Sequence, residues 1–423
     1  METIPLLPAL VKEAKKKVKR VWEAVNVATL ALLLDLPEFE VTHFEIEEEV
    51  LHLRCVHREE IALCPRCGDF CREVHERKER CVRDLSMWGK RVKLHFVNRR
   101  FMCERCGNPF TERLPSIDRR RRQTRRYEQF VYESCLVSDR KAVAMREQLS
   151  ESTVKEIFIK WAKRTTRRPH ASPVRVLGID EISLKKRHKQ YALVLSDLER
   201  HCIIAILPDR KKKTLVKWLH AQSESDRKAI QVVSTDLWEP YRQAVHDALP
   251  DAQQVADRFH VMKQLNDRLT QARRAIQRQA DEPTRTVLKG SRWILVKARH
   301  ELTADEEVKL QAVLLACPEL RVMYLLKEEF RTICDKARDR EQAARFLRAW
   351  VCKVRFTRDK RLLKFVSTLG NWWNEFLNYF VSRVTQGFVE GINNAIRTII
   401  RRAYGFRNFA NFRLHVLAQH GGT

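Results

Sequence analysis

The stretch VRVLGIDEISLKKRHKQYALVLSDLERHCIIAILPD, residues 174–209, contains three short runs that are rich in β-branched and aliphatic residues. Each run has the length of a strand, which predicts three β-strands. Residues 213–222, KTLVKWLHAQ, have helical spacing, and two further β-rich runs end at residues 236 and 257. Three strands, a helix and further strands predict an α/β domain in this part of the chain.

Three of the β-rich runs end on an aspartate, namely Asp180, Asp236 and Asp257. Carboxylates at the ends of strands can converge at one edge of a sheet, and hard divalent cations prefer such oxygen ligands. The alternative is that each aspartate caps a turn or the helix that follows it, which is common for this residue. Because several such residues occur in a basic chain, we favour a metal site.

The composition points to a polyanionic partner. Lysine and arginine outnumber the acids by 82 to 54, so the 423-residue chain has a formal charge of +28. A field of this sign favours nucleic acid. The length predicts about two to four domains. Eight of the twelve cysteines lie between residues 55 and 135, which indicates metal binding rather than a disulfide framework.

Two similar motifs, CPRCG at residues 64–68 and CERCG at residues 103–107, are separated by 103 − 67 − 1 = 35 residues. A two-residue gap lets both thiolates of a tight turn bind one ion, and the closing glycine permits the positive φ that such turns often need. We therefore predict one structural Zn²⁺ with no open position for substrate, and buried free thiols are the alternative. The predicted ligands are Cys64, Cys67, Cys103 and Cys106. Core positions are expected for Cys55, Cys71 and Cys81, with a role as substitute ligands or as a second partial site left open.

An arginine run follows in SIDRRRRQTRRYEQF, residues 116–130. Such a run is usually solvated, but this one lies between a zinc module and a helical segment, as phosphate-contacting arms often do. Because the total charge agrees, we favour contact with DNA phosphates. The arginines of the run are Arg119, Arg120, Arg121, Arg122, Arg125 and Arg126.

Residues 126–164 contain three helical segments with a short break before the third, which fits a helix-turn-helix. Ser138 and either Ser150 or Ser152 are the expected N-caps. Any small three-helix unit has this pattern, so the helix-turn-helix interpretation also depends on the positive charge of the chain. In a helix-turn-helix the third helix enters the major groove, here leading with Ser152, Thr153 and Lys155. Prolines in residues 165–173 then predict a linker.

The stretch TQGFVEGINNAIRTIIRRAYGFRNFANFRLH, residues 385–415, contains a lone acid, Glu390, among five arginines. A helix from about residue 386 to 404, ended by Gly405, places Ile392, Ile396 and Ile399 on a buried face. The opposite face carries Glu390, Asn394, Arg397 and Arg401. Glu390 is then either a metal ligand, beside arginines that hold a phosphate backbone, or a partner in a weak charge balance with Arg397.

Residues 265–380 show helical spacing without strands and predict a helical insertion. The expected core anchors are Trp293, Trp350, Trp372 and Trp373. Near the N-terminus, residues 12–37 predict an amphipathic helix rather than a signal peptide. Since no run approaches the roughly 20 apolar residues needed to span a bilayer, we expect a soluble, cytoplasmic protein and no membrane partner.

Several blocks of the sequence, in this order, resemble one family, and the match extends from about residue 30 to the C-terminus. The blocks are CPRCG, RDLSMWGKRVKLHFVNRRFMCERCGNPFTERLP, GIDEISLKKRHKQYALVLSDL, STDLWEPYRQAV, DALPDAQQVADRFHV, LKGSRWILVK and VEGINNAIRTIIRRAYGFRNFANFRLHVL. The chain is similar to the IS-L-three (ISL3) family of bacterial insertion-sequence transposases. Residues before about Leu30 have no clear counterpart in the family and are expected to be an extension or to result from an upstream start.

The resemblance implies a ribonuclease H-like domain with an Asp-Asp-Glu triad at Asp180, Asp236 and Glu390. Asp257 and His260 match a further block and are expected to support the site. A triad of this kind holds two divalent ions, Mg²⁺ or Mn²⁺, about 4 Å apart for in-line attack on a phosphodiester. The resemblance also implies a homodimer that holds two transposon ends. The expected partners are therefore double-stranded transposon ends and target DNA.

Together these observations predict a multidomain α+β protein with a zinc-ribbon-like module, a helix-turn-helix and a ribonuclease H-like α/β catalytic domain with a helical insertion. The predicted parts are a helical extension (1–35), the zinc module (36–115), the helix-turn-helix (116–168), the catalytic domain (169–264 and 381–423) and the insertion (265–380). The predicted function is that of a transposase which binds terminal inverted repeats and cleaves and transfers strands. A DNA-binding repressor derived from a transposase and a structure-specific nuclease of the same fold are the alternatives.

Overall fold

The computed structural model describes residues 27–166, 172–185, 190–384 and 387–422. These residues form two compact units, divided between Trp161 and Ala162, which are treated separately below. The basic half of the predicted N-terminal helix, most of the predicted linker and residues 385–386 lie outside the described residues. In the described part of the chain, no helix is both long enough and apolar enough to cross a bilayer.

The first unit is built on a five-stranded sheet. Its helix and strands are α1 (Val27–Leu34), β1 (Phe39–Glu47), β2 (Val50–His57), β3 (Ala62–Leu63), β4 (Phe70–Cys71), β5 (Val74–Met87), β6 (Lys90–Met102) and β7 (Pro109–Thr111). The sheet order is β1-β2-β6-β5 with β7 paired to β6, and β3 and β4 form a separate two-stranded ribbon. β2 and β6 are parallel, and the other pairs are antiparallel.

Alternation of apolar and polar residues produces this sheet. Leu51 and Leu53 of β2 are fully buried against Val92 and Leu94 of β6, while the residues between them are more exposed. Because successive side chains of a strand point to opposite faces, this alternation buries one face of the sheet. α1 covers that face with Leu30.

Three helices follow, α2 (Arg125–Val137), α3 (Arg140–Glu147) and α4 (Glu151–Thr165). Ser150 caps α4, since its hydroxyl accepts a hydrogen bond from the Thr153 amide at 3.1 Å. The prediction that Ser138 caps α3 is wrong. Asp139 is the cap, because its carboxylate accepts from two backbone amides, each at 3.0 Å. A three-residue turn, in which Gln148 has φ 54°, separates α3 from α4 as a helix-turn-helix requires.

The second unit contains a mixed five-stranded sheet. Its strands are β8 (Val176–Lys185), β9 (Gln190–Asp197), β10 (Cys202–Leu207), β11 (Val232–Thr235) and β12 (Gln253–Ala256). The order is β10-β9-β8-β11-β12. The first three are antiparallel neighbours, whereas β8, β11 and β12 run parallel. This is the ribonuclease H-like sheet that the resemblance implied, with the strands where the β-rich runs predicted them.

Helices cover both faces of this sheet. They are α5 (Lys212–His220), α7 (Glu239–Ala248), α16 (Gly387–Arg402) and α17 (Phe409–His420), while the short α6 (Glu224–Ala229) has no buried residue. Leu177 and Ile179 of β8 pack on the side of α5 and α7. Ile182 packs on the other side with α16 and α17. Since side chains alternate along β8, Asp180 shares the face of Ile182 and therefore faces α16.

Between β12 and α16 the chain forms α8 (Arg258–Gln279), α9 (Glu282–Leu288), α10 (Arg292–Val296), α11 (Ala304–Ala316), α12 (Pro318–Lys336), α13 (Arg340–Thr357), α14 (Lys360–Asn371) and α15 (Trp373–Ser382). Residues 265–380, all of which are described, contain no strand, so the predicted helical insertion is confirmed. The first helix begins at Arg258 rather than near Leu265, because Asp257 caps it.

The core of these helices contains two of the four predicted tryptophan anchors. Trp350 and Trp372 are buried in it, and Trp373 is half-buried at its border. The prediction for Trp293 is wrong, because its side chain is 67% exposed. Its neighbours on the short helix α10, Ile294 and Leu295, fill the core instead.

A buried ion pair joins the sheet of the first unit to α2. Asp84 on β5 is completely buried, and it accepts hydrogen bonds from the Thr124 hydroxyl at 2.6 Å and from Arg126 Nε at 2.9 Å. A buried carboxylate without partners would lose several kcal/mol of solvation. Arg126 is therefore part of the folded core of this unit, although it belongs to the arginine run.

We expect Arg126→Ala to lower the free energy of unfolding of this unit by about 3–5 kcal/mol, because Asp84 would keep its charge without its cation. Arg122→Ala is the matched control. Arg122 is exposed four residues earlier, and its loss should change the stability by less than about 0.5 kcal/mol. Urea unfolding of the full chain measures both variants. Equal, small losses would contradict a structural role for Arg126.

Candidate active site and metal centres

The two CxxC motifs come together in the first unit. The Sγ atoms of Cys64 and Cys106 are 3.7 Å apart, and those of Cys67 and Cys103 are 3.5 Å apart. All four Sγ atoms lie within 4.8 Å of one another. A tetrahedral zinc with Zn–S bonds of about 2.3 Å separates its sulfurs by about 3.8 Å, so the four thiolates fit the ion. The predicted ligand set for a structural zinc is thus assembled by the fold.

The glycine that follows each CxxC pair has the predicted conformation. Gly68 has φ +74° and Gly107 has φ +63°. Their amides donate to the carbonyls of Cys64 and Cys103 at 2.9 and 2.8 Å, which closes the two turns. Side chains rarely adopt this backbone conformation, so glycine is needed for φ rather than for space.

The other three cysteines of this region do not join the group. Cys55 is buried in the sheet core and Cys71 is buried beside the zinc ligands, as expected for core cysteines. The expectation for Cys81 is wrong, since its side chain is exposed on the outward face of β5.

In the second unit the sheet register aligns the three candidate aspartates. Ile179 of β8 lies beside Thr235 of β11, which lies beside Ala256 of β12. The next residues along these parallel strands are Asp180, Asp236 and Asp257. All three therefore lie at the same edge of the sheet, where β11 and β12 have their carboxyl ends. The role of these aspartates as metal ligands stays a prediction. Asp180 is not at the end of its strand, however, because β9 keeps pairing with β8 as far as Lys185.

Asp180 is held by a residue from the far end of the chain. Its side chain is only 8% exposed, and its Oδ2 accepts a hydrogen bond from Asn393 Nδ2 at 2.6 Å. Its Oδ1 accepts from the Glu181 amide at 2.7 Å. Burial raises the pKa of Asp180, whereas the charge of His260 and these hydrogen bonds oppose that rise.

Asp236 differs from Asp180 in the hydrogen bonding of its carboxylate. Its Oδ1 is buried and has no hydrogen-bond partner. Burial, together with the charges of Asp180 and Glu181, raises the pKa of Asp236 to about 7. An orphaned carboxylate oxygen beside further carboxylates has the chemistry of a site for a hard divalent cation, so these donors fit the metal that the resemblance implied.

Asp257 and His260 form a pair next to these acids. The Asp257 side chain accepts from the Phe259 amide at 3.3 Å, which confirms its role as a helix cap. Its Oδ2 lies 2.9 Å from Nδ1 of His260. Burial lowers the pKa of His260, but Asp257 and the charges of Asp180 and Asp236 outweigh that effect and raise it. A protonated His260 therefore offsets part of the negative charge at this edge.

Glu390 lies in the first turn of α16 and is exposed, as predicted. Ile392, Ile396 and Ile399 bury the other side of the helix against the sheet. Residues three apart on a helix have Cβ atoms about 5–6 Å apart, so Glu390 is one turn from Asn393, the partner of Asp180. Among the described residues, the four cysteines are the group of possible ligands that meets within 4.8 Å, and the three acids are spaced more widely.

The arginines of α16 do not form the charge balance that was the alternative for Glu390. Arg397 Nη1 donates to Asn394 Oδ1 at 2.7 Å, and Arg401 Nε donates to the Arg397 carbonyl at 3.4 Å. Both side chains are exposed on the same face as Glu390. A carboxylate and two cations thus share one solvent-facing surface.

Two residues near the acids, Asn393 and Glu181, were not predicted from the sequence. Asn393 is 4% exposed inside an apolar stripe, and a buried polar residue in such a stripe signals a polar partner. Glu181 follows Asp180 directly and accepts from Arg210 Nη1 at 3.2 Å. Its position in a β-rich run gave no indication of its proximity to Asp236.

Three of the six arginines in the run form ion pairs with acids of the same unit. Arg121 pairs with Glu128 at 2.5 Å and Arg125 with Asp118 at 2.7 Å, and Arg126 pairs with Asp84 as described above. The other three members of the run, which are exposed, are Arg119, Arg120 and Arg122.

On α4, the predicted base-reading residues Lys155 and Ser152 are exposed and Thr153 is half-buried. The Ser150 hydroxyl forms hydrogen bonds with the hydroxyls of Ser152 and Thr153.

A zinc ribbon, a helix-turn-helix and a ribonuclease H-like sheet with acids at one edge define a DDE transposase, which is a metal-dependent enzyme. Residues 177–416 match the family model of ISL3 that is described as a transposase. Residues 112–162 match the helix-turn-helix domain of transposase family ISL3, and residues 62–106 match the zinc finger of the IS204, IS1001, IS1096 and IS1165 transposases. The chain belongs to the ISL3 family of transposases.

Two relatives illustrate the similarity. The chain is 32% identical over 367 residues to the transposase for insertion sequence element IS1001 of Bordetella parapertussis, which covers 86% of this chain and 90% of that protein. It is 29% identical over 272 residues to the transposase for insertion sequence element IS1557 of Mycobacterium tuberculosis, which covers 59% of this chain and 60% of that protein.

We expect one zinc ion per chain, and loss of this ion should unfold the ribbon. Cys64→Ser or Cys103→Ser removes a ligand from a closed site, whose binding energy is also folding energy. Elemental analysis and circular dichroism measure the two effects. Cys81→Ser is the control, because this thiol is exposed and lies outside the ligand group. Active protein without zinc would refute the assignment.

The adjacent asparagines of α16 should differ in their contribution to stability. Asn393→Ala leaves the buried Asp180 carboxylate short of a donor, which costs about 1–3 kcal/mol. Asn394 is exposed, so Asn394→Ala should change the stability by less than about 0.5 kcal/mol. Denaturant unfolding compares them. Similar losses in both variants would show that the contact with Asp180 contributes little.

Proposed function

We propose that this transposase binds the terminal inverted repeats of an insertion sequence and catalyses cleavage and transfer of the element's DNA strands. The observation that carries this proposal is the hydrogen bond between Asn393 and Asp180. It ties α16 to the strand edge where Asp180 and Asp236 lie, and it leaves Glu390 one turn away. In this assignment Asp180, Asp236 and Glu390 are the catalytic acids, and Asp257 and His260 support them.

The three acids would hold divalent metal, two Mg²⁺ or Mn²⁺ ions, through carboxylate oxygens. When bound, such ions activate water or a 3′-hydroxyl and stabilise the leaving oxygen in an in-line displacement at phosphorus. The donor set supports this assignment, since Asp236 has a buried carboxylate oxygen without a hydrogen-bond partner. The pKa of His260 is raised because Asp257, Asp180 and Asp236 outweigh its burial, and its charged form would reduce the repulsion between Asp180 and Asp236.

The surface around Glu390 supplies the contacts to substrate in this proposal. Arg397 and Arg401 are exposed on its face of α16, and a guanidinium can donate two parallel hydrogen bonds to a phosphate. They hold the phosphodiester backbone, while the carboxylate takes part in metal binding. Positive charge alone could not do this, because Mg²⁺ requires oxygen ligands.

The helix-turn-helix would provide recognition of the element's ends. α4 would lie in the major groove with Ser152, Thr153 and Lys155 near the bases. Arg119, Arg120 and Arg122 are the members of the run that are exposed for phosphates. Arg121, Arg125 and Arg126 already bind acids, so their contribution to DNA binding is smaller than the sequence suggested.

The domain limits and the assembly are part of the same proposal. The zinc module occupies about residues 36–115, the helix-turn-helix 116–168, the catalytic domain 169–264 and 381–423, and the insertion 265–380. A homodimer would hold two transposon ends and one target DNA, since both ends must be cut and joined together. The protein acts on bacterial DNA and would therefore work in the cytoplasm.

The acids are tested by the substitutions Asp180→Asn, Asp236→Asn and Glu390→Gln. Each keeps the size of the side chain and removes a charge, so folding and binding of end DNA should stay near wild type. Cleavage of labelled element ends in Mg²⁺ should fall by several orders of magnitude. Double variants should be little worse than single ones, because the residues act as a unit.

A second measurement and a control keep the test specific. Mn²⁺ should raise the melting temperature of the wild type, and each substitution should weaken that effect, since the ligands bind the folded state only. Glu375→Gln is the control. Glu375 also lies in the first turn of a helix, but its carboxylate pairs with Arg242 at 3.4 Å. If Glu390→Gln protein still cleaved while the Glu375 variant did not, the third ligand would be Glu375.

A further inference from the structure

A groove of about 940 Å³ crosses the first unit beside the zinc ribbon. Its walls come from β5 and β6, from residues 108–114 after the second CxxC motif, and from the arginine run. Seven of the lining side chains are lysine or arginine, and two are acidic. Pockets for small organic ligands are lined mainly by apolar residues, so the charge of this groove indicates a polyanion.

Both acids of the groove are already neutralised. Glu112 accepts hydrogen bonds from Arg99 Nε at 3.0 Å and Nη2 at 2.7 Å, and it lies 3.3 Å from His57. Asp118 pairs with Arg125 at 2.7 Å and with Lys160 at 2.5 Å. The acids therefore remove little of the positive field in the groove.

Two of the seven cations make contacts within the first unit. Arg125 pairs with Asp118, and Arg80 donates to the Arg121 carbonyl at 2.5 Å while its guanidinium stacks over Phe96. Five exposed cations remain, which are Lys78, Arg100, Arg113, Arg119 and Arg120. Arg100 lies 3.3 Å from Glu76, but this pair is exposed and therefore weak.

Arg120 has a backbone conformation that arginine rarely adopts. Its φ is +62°, in the left-handed region that favours glycine. The turn is closed by a hydrogen bond from the Arg121 amide to the Asp118 carbonyl at 3.1 Å. An arginine at a glycine-type position, on the rim of a basic groove, indicates that its charge is used there.

The groove is fixed to the predicted recognition helix. Lys160 of α4 pairs with Asp118 in the groove wall, and it follows Lys155 by five residues. At a rise of about 1.5 Å per residue, the two lysines are about 7.5 Å apart along the helix axis. The groove wall is thus attached to the same helix that is predicted to read bases.

We propose that this groove is a second DNA-binding surface, which holds the sugar-phosphate backbone of duplex DNA next to the segment that α4 reads. The proposal rests on the proposed function, because the segment read by α4 is the element's end. The groove adds affinity for any duplex, and α4 adds the preference for sequence. The zinc ribbon acts as one wall of the groove and keeps Arg113 and the cations of β5 and β6 in place.

The test uses the full zinc-loaded chain and the double variant Lys78→Ala/Arg113→Ala. Its affinity for a duplex carrying the element's end, and for a random duplex of equal length, is measured over a series of salt concentrations. Each lost phosphate contact lowers the log–log salt slope by about 0.9, so we expect a decrease of about 1.8 for both duplexes. At about 0.1 M salt the affinity should fall by up to about 60-fold, with the ratio between the duplexes unchanged.

The matched control is Arg54→Ala/Arg77→Ala, which removes the same net charge from exposed positions outside the groove. Arg77 precedes Lys78 on β5, so the two side chains point to opposite faces. The control should keep the wild-type slope within about half a unit. An equal decrease in both double variants would overturn the proposal, and so would a loss confined to the end duplex at constant slope.

Arg120→Gly provides an independent variant. Glycine accepts the positive φ, so the melting temperature should not fall, while the salt slope should decrease by about 0.9. A lower melting temperature with an unchanged slope would contradict the proposal. If the wild type bound end and random duplexes equally, the proposed end recognition would fail, but the groove would still be judged on the random duplex.

Discussion

The buried hydrogen bond between Asp180 and Asn393 is the contact on which the catalytic part of this transposase depends. It joins residues 213 positions apart, on either side of the helical insertion. The isoleucines of α16 attach the helix to the sheet, but hydrophobic burial is non-directional and would tolerate a shift along the helix axis. A hydrogen bond to a buried carboxylate does not tolerate that shift, because Asp180 would lose one of its donors at a cost of about 1–3 kcal/mol. Asn393 thereby sets the register of α16 and, with it, the position of Glu390.

The acidic side chains of this strongly basic chain occupy two different environments. In the first unit, Asp84 is buried under Arg126, Glu128 is held by Arg121 and Lys160, and Glu112 is held by Arg99. These pairs turn part of the arginine surplus into structure. At the strand edge of the second unit, Asp236 keeps an unpaired buried oxygen, and burial beside Asp180 raises its pKa to about 7. Charge that is left uncompensated inside a folded domain is costly, and a divalent cation is the partner that would compensate it.

The elements with a strong local pattern were predictable. The β-rich runs became β8 to β12, and the helix with Glu390 on its outer face became α16, because alternation and helical spacing record which side of an element is buried. The four zinc ligands were predictable from spacing alone, since a CxxC turn places two thiolates at one point regardless of its surroundings. Two of the wrong predictions lie where neighbouring residues compete for one position. Asp139 rather than Ser138 caps α3, and Ile294 and Leu295 rather than Trp293 enter the core.

The sequence by itself determined the strands, the helices, the zinc ligands, the excess of positive charge and the family, because each of these depends on local order or on composition. Tertiary structure alone decided which charges remain available. Six arginines in eight positions look alike in the sequence, yet Arg121, Arg125 and Arg126 are bound by acids that lie at positions 128, 118 and 84. The sequence likewise does not reveal that Asp180 meets Asn393. Such contacts join residues that are distant along the chain, and they form only after the sheets and helices have packed, so no local pattern encodes them.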